Sequence, residues 1–206
     1  MLRFQIGILV SLGCDSVLVS LFNGSPKKNG NTAQMLCWIA EILDDNGIES
    51  EIVQVGGNLL HGCRDCLACM RNKDGRCSID DDLLNEWVEQ MKKSDGIVLG
   101  SPTYFCDVTP EMKALIDRGG RVARSSGMLK RKVGAGIVTA RRMGAIHVYD
   151  TINHFFLINE MFVPGASYWN TGFGGAPGEV CDDEEAKKTM KTLADNMAYL
   201  LKKINE

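Results

Sequence analysis

Residues 17–26 read Val-Leu-Val-Ser-Leu-Phe-Asn-Gly-Ser-Pro. Five of the first six residues are apolar, and the last four form a turn sequence. A short apolar run of this kind is typical of a strand that is buried on both faces of a parallel sheet. Apolar side chains then recur at helical spacing from Thr32 to Asn46, and Asn46-Gly47 supplies a helix stop. The segment therefore predicts a strand, a loop and a helix, the repeating unit of an α/β protein.

The same unit recurs along the rest of the chain. Further strands are predicted at Glu49–Val55, Gly96–Gly100, Val133–Thr139 and Met161–Ala166. Further helices are predicted at Asp81–Lys93, from Pro110 to about Arg121, at Ala145–Asn159 and at Asp182–Lys203. We therefore expect a doubly wound, five-stranded parallel sheet, and such sheets bind their ligands at the carboxyl ends of the strands.

The chain has 206 residues, of which 45% are hydrophobic and 24% charged, and its net charge is −3. This length and composition predict one domain, and the lack of a basic excess argues against a nucleic acid partner. The longest apolar stretch near the start, residues 2–13, is shorter than the roughly 20 residues that a membrane-spanning helix needs. We expect residues 1–15 to be an extension that adds an edge strand, with a signal peptide as the alternative. Residues 16–206 then form the domain.

The connection Gly24–Thr32 joins the first strand to the first helix, where unpaired backbone N–H groups and the helix dipole attract a phosphate. It lacks the spacing of a nucleoside triphosphate loop and of a dinucleotide fingerprint. Its hydroxyl and amide groups suit a phosphate monoester, and an ordinary capped turn is the alternative interpretation.

Two segments, Asn23–Thr32 and Ser101-Pro102-Thr103-Tyr104-Phe105, resemble the flavin mononucleotide (FMN) loops of the NAD(P)H-dependent FMN reductases, which have a flavodoxin-like fold. The likeness extends over nearly the whole chain from Ser16. It implies that the phosphate is held by Ser25, Lys27, Asn29, Asn31 and Thr32. It also implies that the isoalloxazine ring is bordered by Pro102, Thr103, Tyr104 and Phe105, with a core contact after a strand as the alternative for the two aromatic residues.

The same resemblance places the loop after the fourth strand, Thr139–Gly144, at the flavin ring. A guanidinium there favours an anionic reduced flavin, and a glycine permits close backbone approach. The residues implied are Arg141, Arg142 and Gly144, with a solvated surface charge as the alternative for either arginine.

Four cysteines, Cys63, Cys66, Cys69 and Cys77, lie in the loop 61–78 after the second strand. Four thiolates on one short loop suit a 4Fe–4S cluster, and the set resembles the compact motif of the iron-sulfur flavoprotein branch of the family. Tetrahedral zinc is the structural alternative, and unliganded thiols are another. The remaining cysteines, Cys14, Cys37, Cys106 and Cys181, are scattered and are expected to be small apolar residues or free thiols in a reducing cytoplasm.

These features predict an FMN-dependent redox flavoprotein that carries electrons from NAD(P)H through FMN and the cluster to a small acceptor, with no side-chain nucleophile. One alternative is an electron-transfer protein that receives electrons from ferredoxin, and another is a zinc-stabilised, flavodoxin-like scaffold without redox function. The resemblance also implies a homodimer or homotetramer.

Overall fold

The computed structural model of the protein describes residues 17–206. They contain a five-stranded parallel sheet with the strand order β2-β1-β3-β4-β5. The strands are β1 (Leu18–Asn23), β2 (Glu49–Gln54), β3 (Gly96–Pro102), β4 (Val133–Ala140) and β5 (Thr171–Phe173). The prediction of a doubly wound, five-stranded parallel sheet is confirmed. The predicted edge strand within residues 1–15 lies outside the described residues.

Helices cover both faces of this sheet. They are α1 (Asn31–Asp45), α2 (Ala68–Asn72), α3 (Leu84–Lys93), α4 (Pro110–Ser126), α5 (Ala145–Ile158) and α6 (Glu184–Asn205). Because side chains alternate along a strand, Leu21 packs with α1 and α6 on one face, whereas Phe22 packs with α3, α4 and α5 on the other. Both residues are fully buried, as expected for a strand in the middle of a parallel sheet.

The fifth strand is not where the sequence pattern placed it, so the prediction of a strand at Met161–Ala166 is wrong. Phe162 makes only an isolated bridge with Val133, and the pairing stops before Pro164, which has no N–H to donate to a ladder. Residues 171–173 pair instead with residues 138–140, at the carboxyl end of β4. This short strand brings the loop that follows it to the edge of the sheet where ligands bind.

Two helix boundaries differ from the expected ones by three residues or more. Helix α4 continues to Ser126, past the predicted end near Arg121, because Gly120 packs against the ring of Phe155 and burial compensates for the poor helix propensity of glycine. Helix α3 begins at Leu84, whose N–H donates to the Asp82 carboxylate at 3.2 Å. Within residues 17–206, no helix combines the length and apolarity needed to cross a membrane.

Candidate functional site

The loops after β1 and β3 meet where the strand order reverses, which is the usual ligand site of such sheets. Gly24 N donates to Gly100 O at 2.7 Å, and the Thr109 hydroxyl donates to Gly24 O at 2.7 Å. On the other side, Gln54 Nε2 donates to Ser25 O at 2.7 Å. The loop after β1 is thus fixed by its neighbours on both sides, so its remaining polar groups are preorganised for a ligand.

Between these loops a cleft of about 170 Å³ opens at the carboxyl edge of the sheet. It is lined by Ser25, Lys27, Asn31, Thr32, Pro102, Thr103, Tyr104, Thr139, Ala140, Arg141, Gly174 and Gly175. The structure therefore brings together eight of the twelve residues that the sequence assigned to flavin binding. The other four, Asn29, Phe105, Arg142 and Gly144, do not line this cleft.

The amino end of α1 faces the cleft with its charge uncompensated. The residue before the helix is Gly30, which offers no side-chain cap, and the first turn holds no acidic residue. The first N–H groups of a helix lack intrahelical partners and carry a partial positive charge, and Lys27 adds a full one. These residues fit the phosphate monoester of FMN.

Asn31 is already engaged in holding a neighbouring loop. Its Nδ2 donates to Gly174 O at 3.0 Å and to Ala176 O at 2.9 Å, and its Oδ1 accepts from Gly178 N at 2.8 Å. Asn31 thereby ties the loop after β5, which forms one wall of the cleft, to the start of α1. The resemblance implied a phosphate role for Asn31, whereas its hydrogen-bond partners, about 145 residues away in the chain, left no local signal.

Phe105 and Cys106 form the tip of a tight hairpin between Tyr104 and Asp107. Both central residues have positive φ, +49° and +61°, a conformation that L-residues rarely adopt. The Phe105 side chain points away from the protein and is fully exposed. Gly144, at φ +92°, lies so close to the hairpin that a Cβ there would stand 2.7 Å from Cys106 Sγ. The close approach that Gly144 permits in this structure is therefore to the hairpin.

All four predicted cysteines line one small cavity beside α4. Its other lining residues include Arg118, Arg121 and Val122 of that helix. Cys69 is buried, Cys77 is partly buried, and Cys63 and Cys66 are exposed. A hydrogen bond with the Ser78 hydroxyl, 3.2 Å away, lowers the pKa of Cys66, whereas burial raises the pKa of Cys69.

The spacing of the four sulfurs is relevant to the choice between zinc and iron. Zinc–sulfur bonds of about 2.3 Å in a tetrahedron place the sulfurs roughly 3.8 Å apart. Among residues 17–206, one group of three potential metal ligands has all its ligand atoms within 4.8 Å of one another, namely His61, Asp81 and Asp82. No three of the cysteine sulfurs in this part of the chain lie that close together. In this structure the four sulfurs are therefore not gathered at the distances of a tetrahedral zinc site.

The strand order and the cleft at the β1/β3 switch define a flavodoxin-like α/β protein. A WrbA-like flavodoxin from Agrobacterium tumefaciens superposes with a TM-score of 0.63 at 13% identity, over 91% of this chain and 98% of that one. The family model described as NADPH-dependent FMN reductase matches residues 17–176. The chain belongs to this family.

Two relatives are named iron-sulfur flavoproteins. One, from Methanocaldococcus jannaschii, is 35% identical over 191 residues, which cover 89% of this chain and 97% of that protein. The other, from Methanosarcina thermophila, is 31% identical over 187 residues, covering 87% and 95% of the two chains. With the family match, they confirm the prediction of an FMN redox flavoprotein with the flavodoxin-like fold. The assignment of individual residues to the flavin and to a metal centre stays a prediction.

Proposed function

We propose that this protein is an NAD(P)H-dependent oxidoreductase that uses FMN and a 4Fe–4S cluster to deliver electrons to a small acceptor. The observation that carries the proposal is that four cysteines line one cavity, while a separate cleft is lined by eight of the residues assigned to FMN. FMN takes up a hydride as an electron pair and releases electrons singly, and a 4Fe–4S cluster carries one electron at a time. A protein that holds both is suited to exchange between two-electron and one-electron partners.

In this proposal the chain's own residues bind and orient the cofactors. The phosphate is assigned to Ser25, Lys27, Asn29, Asn31 and Thr32, and the ring to Pro102, Thr103, Tyr104, Phe105, Arg141, Arg142 and Gly144. The eight residues that line the cleft support this assignment directly. Asn29, Phe105, Arg142 and Gly144 are assigned on the resemblance alone, and mutagenesis will decide whether they contribute.

The cluster is assigned to Cys63, Cys66, Cys69 and Cys77. Their convergence on one cavity, their close spacing in the sequence and the names of the two relatives support a cluster at this site. Anaerobic purification followed by iron, sulfide and zinc analysis tests it. We expect about four irons and four sulfides for each chain, as the composition of the cluster requires. One zinc and no iron would rule the cluster out.

A second candidate function is electron transfer fed by ferredoxin. The exposure of Cys63 and Cys66 favours it, because a protein donor can approach a metal centre whose ligands reach the surface. Anaerobic mixing of the protein with NADPH or with reduced ferredoxin, followed by flavin bleaching, separates the two functions. Rapid bleaching by NADPH alone supports the oxidoreductase, and bleaching only through ferredoxin supports the carrier.

We also propose that the chain assembles into a homodimer or homotetramer and works in the reducing cytoplasm. Three apolar side chains on α5, Ile146, Leu157 and Ile158, are more than 40% exposed, which is typical of a surface covered by another subunit. All seven cysteines within residues 17–206 are free thiols, as in reducing compartments. Light scattering of the purified holoprotein tests the assembly.

A further inference from the structure

Arg118 on α4 has the largest fully buried side chain in the described part of the chain, with 1% exposure. A buried guanidinium is costly unless every N–H group has a partner. All five of its N–H groups have one. Nε donates to Cys77 Sγ at 3.4 Å, NH1 donates to His61 O at 3.0 Å and to Asp82, and NH2 donates to Ile79 O and to Asp82 at 3.0 and 3.1 Å.

These partners lie at the two ends of the cysteine loop. His61 precedes Cys63, whereas Ile79 and Asp82 follow Cys77. One side chain of α4 therefore holds the beginning and the end of the loop together, and its charge is neutralised by an Asp82 carboxylate that is 3% exposed.

Cys77 is held through both its main chain and its sulfur. Its N–H donates to Asn85 Oδ1 at 2.8 Å, and its carbonyl accepts from Asn85 Nδ2 at 3.0 Å. Asn85 thus fixes the backbone of Cys77, while Arg118 Nε–H points at its sulfur. The two contacts are separable, because one acts on the main chain and the other on the ligand atom.

We propose that Arg118 is a positioning residue of the metal centre, which orients Cys77 and raises the reduction potential of the cluster through its N–H···S bond. This inference rests on the proposed function. Hydrogen bonds to the sulfurs are among the features that set cluster potentials. An N–H donor stabilises the reduced state more because the sulfurs then carry more negative charge. Since Asp82 cancels the charge of Arg118, the directed N–H group carries the effect.

The test compares anaerobically prepared wild type with Arg118→Lys, which keeps the charge but lacks the Nε–H group, and with the control Asn85→Ala. Iron content and the redox titration of the cluster by electron paramagnetic resonance are the measurements. For Arg118→Lys at normal iron content, we expect the reduced-to-oxidised ratio at a fixed potential to fall about tenfold, equivalent to 59 mV. For Asn85→Ala we expect lower iron content and a shift of less than threefold in that ratio.

Three results would overturn the inference. An unchanged cluster potential in iron-loaded Arg118→Lys overturns the role of Arg118 but leaves the cluster assignment standing. Equal shifts in potential in Arg118→Lys and Asn85→Ala show that the effect is only structural. Wild type without iron overturns the cluster and, with it, any role of Arg118 toward it. If Arg118→Lys does not fold, the variant Arg118→Met with Asp82→Asn removes both buried charges and should show the same drop in potential.

Discussion

The hydroxyl oxygens of Thr32 and Thr139 lie 2.8 Å apart, and both side chains are buried. The bond joins the first turn of α1 to the carboxyl end of β4, and both residues line the cleft proposed for FMN. Thr32 lines that cleft, as the proposed phosphate role requires. Its hydroxyl also fixes the distance between the helix end and the sheet, so Thr32 is part of the framework of the site.

Replacing Thr32 with Val should therefore lower the free energy of unfolding by about 1–3 kcal/mol, because the Thr139 hydroxyl is left buried without a partner. Urea unfolding of the flavin-free protein measures this. The double variant with Thr139→Val removes both hydroxyls and should recover part of the loss. If the two single losses simply add in the double variant, the bond does not stabilise the fold.

Lys27 and Lys28 are adjacent lysines, of which only Lys27 lines the cleft. If Lys27 contacts the phosphate, Lys27→Ala should weaken FMN binding about tenfold, which corresponds to about 1.4 kcal/mol. Lys28→Ala is the matched control, since it removes the same positive charge at the neighbouring position. Isothermal titration with FMN and with riboflavin makes the measurement, and riboflavin, which has no phosphate, should bind equally to all three proteins. Equal losses of FMN affinity in both variants would point to a general charge effect.

The parts of the fold that local patterns specify were predictable from the sequence. The buried run at Leu18–Asn23, the capped start of α4 at Thr109 and the four cysteines follow from residue type and spacing. The fifth strand was misplaced because the three residues 171–173 are too few for a strand pattern. The buried position of Arg118 could not be predicted, because its hydrogen-bond partners lie 36 to 57 residues away in the chain. From the sequence alone it resembles any charged residue on the surface of a helix.

Cys66→Ala should abolish cluster incorporation while FMN remains bound, because the cysteine cavity and the proposed FMN cleft share no lining residue. The ratios of iron and of flavin to protein, measured on one anaerobic preparation, check this. Cys37→Ala is the control, since Cys37 lies on α1 outside the cavity. The control should keep both cofactors. Loss of FMN from Cys66→Ala would show that the two sites are coupled.

The buried Asp82 should make the fold sensitive to acid. Burial disfavours its charged form, but hydrogen bonds from Arg118 and from the N–H groups of His61 and Leu84 outweigh that cost and hold the pKa below the ordinary value of 3.8. Since the folded pKa is the lower one, charged Asp82 stabilises the fold at pH values above the unfolded pKa. This contribution is lost as the pH falls through the folded pKa.

Asp82→Asn should cost about 3 kcal/mol at pH 7, because Arg118 is left buried without its counter-charge, and should reduce the decline in stability below pH 4. Asp81→Asn is the matched control, since the neighbouring Asp81 side chain is 71% exposed. Its unfolding curve should stay within about 0.5 kcal/mol of wild type at pH 7, as for most surface substitutions. Urea unfolding of the metal-free protein from pH 7 to pH 3 compares all three. If Asp82→Asn and Asp81→Asn unfold alike, the buried ion pair does not hold the cysteine loop to α4.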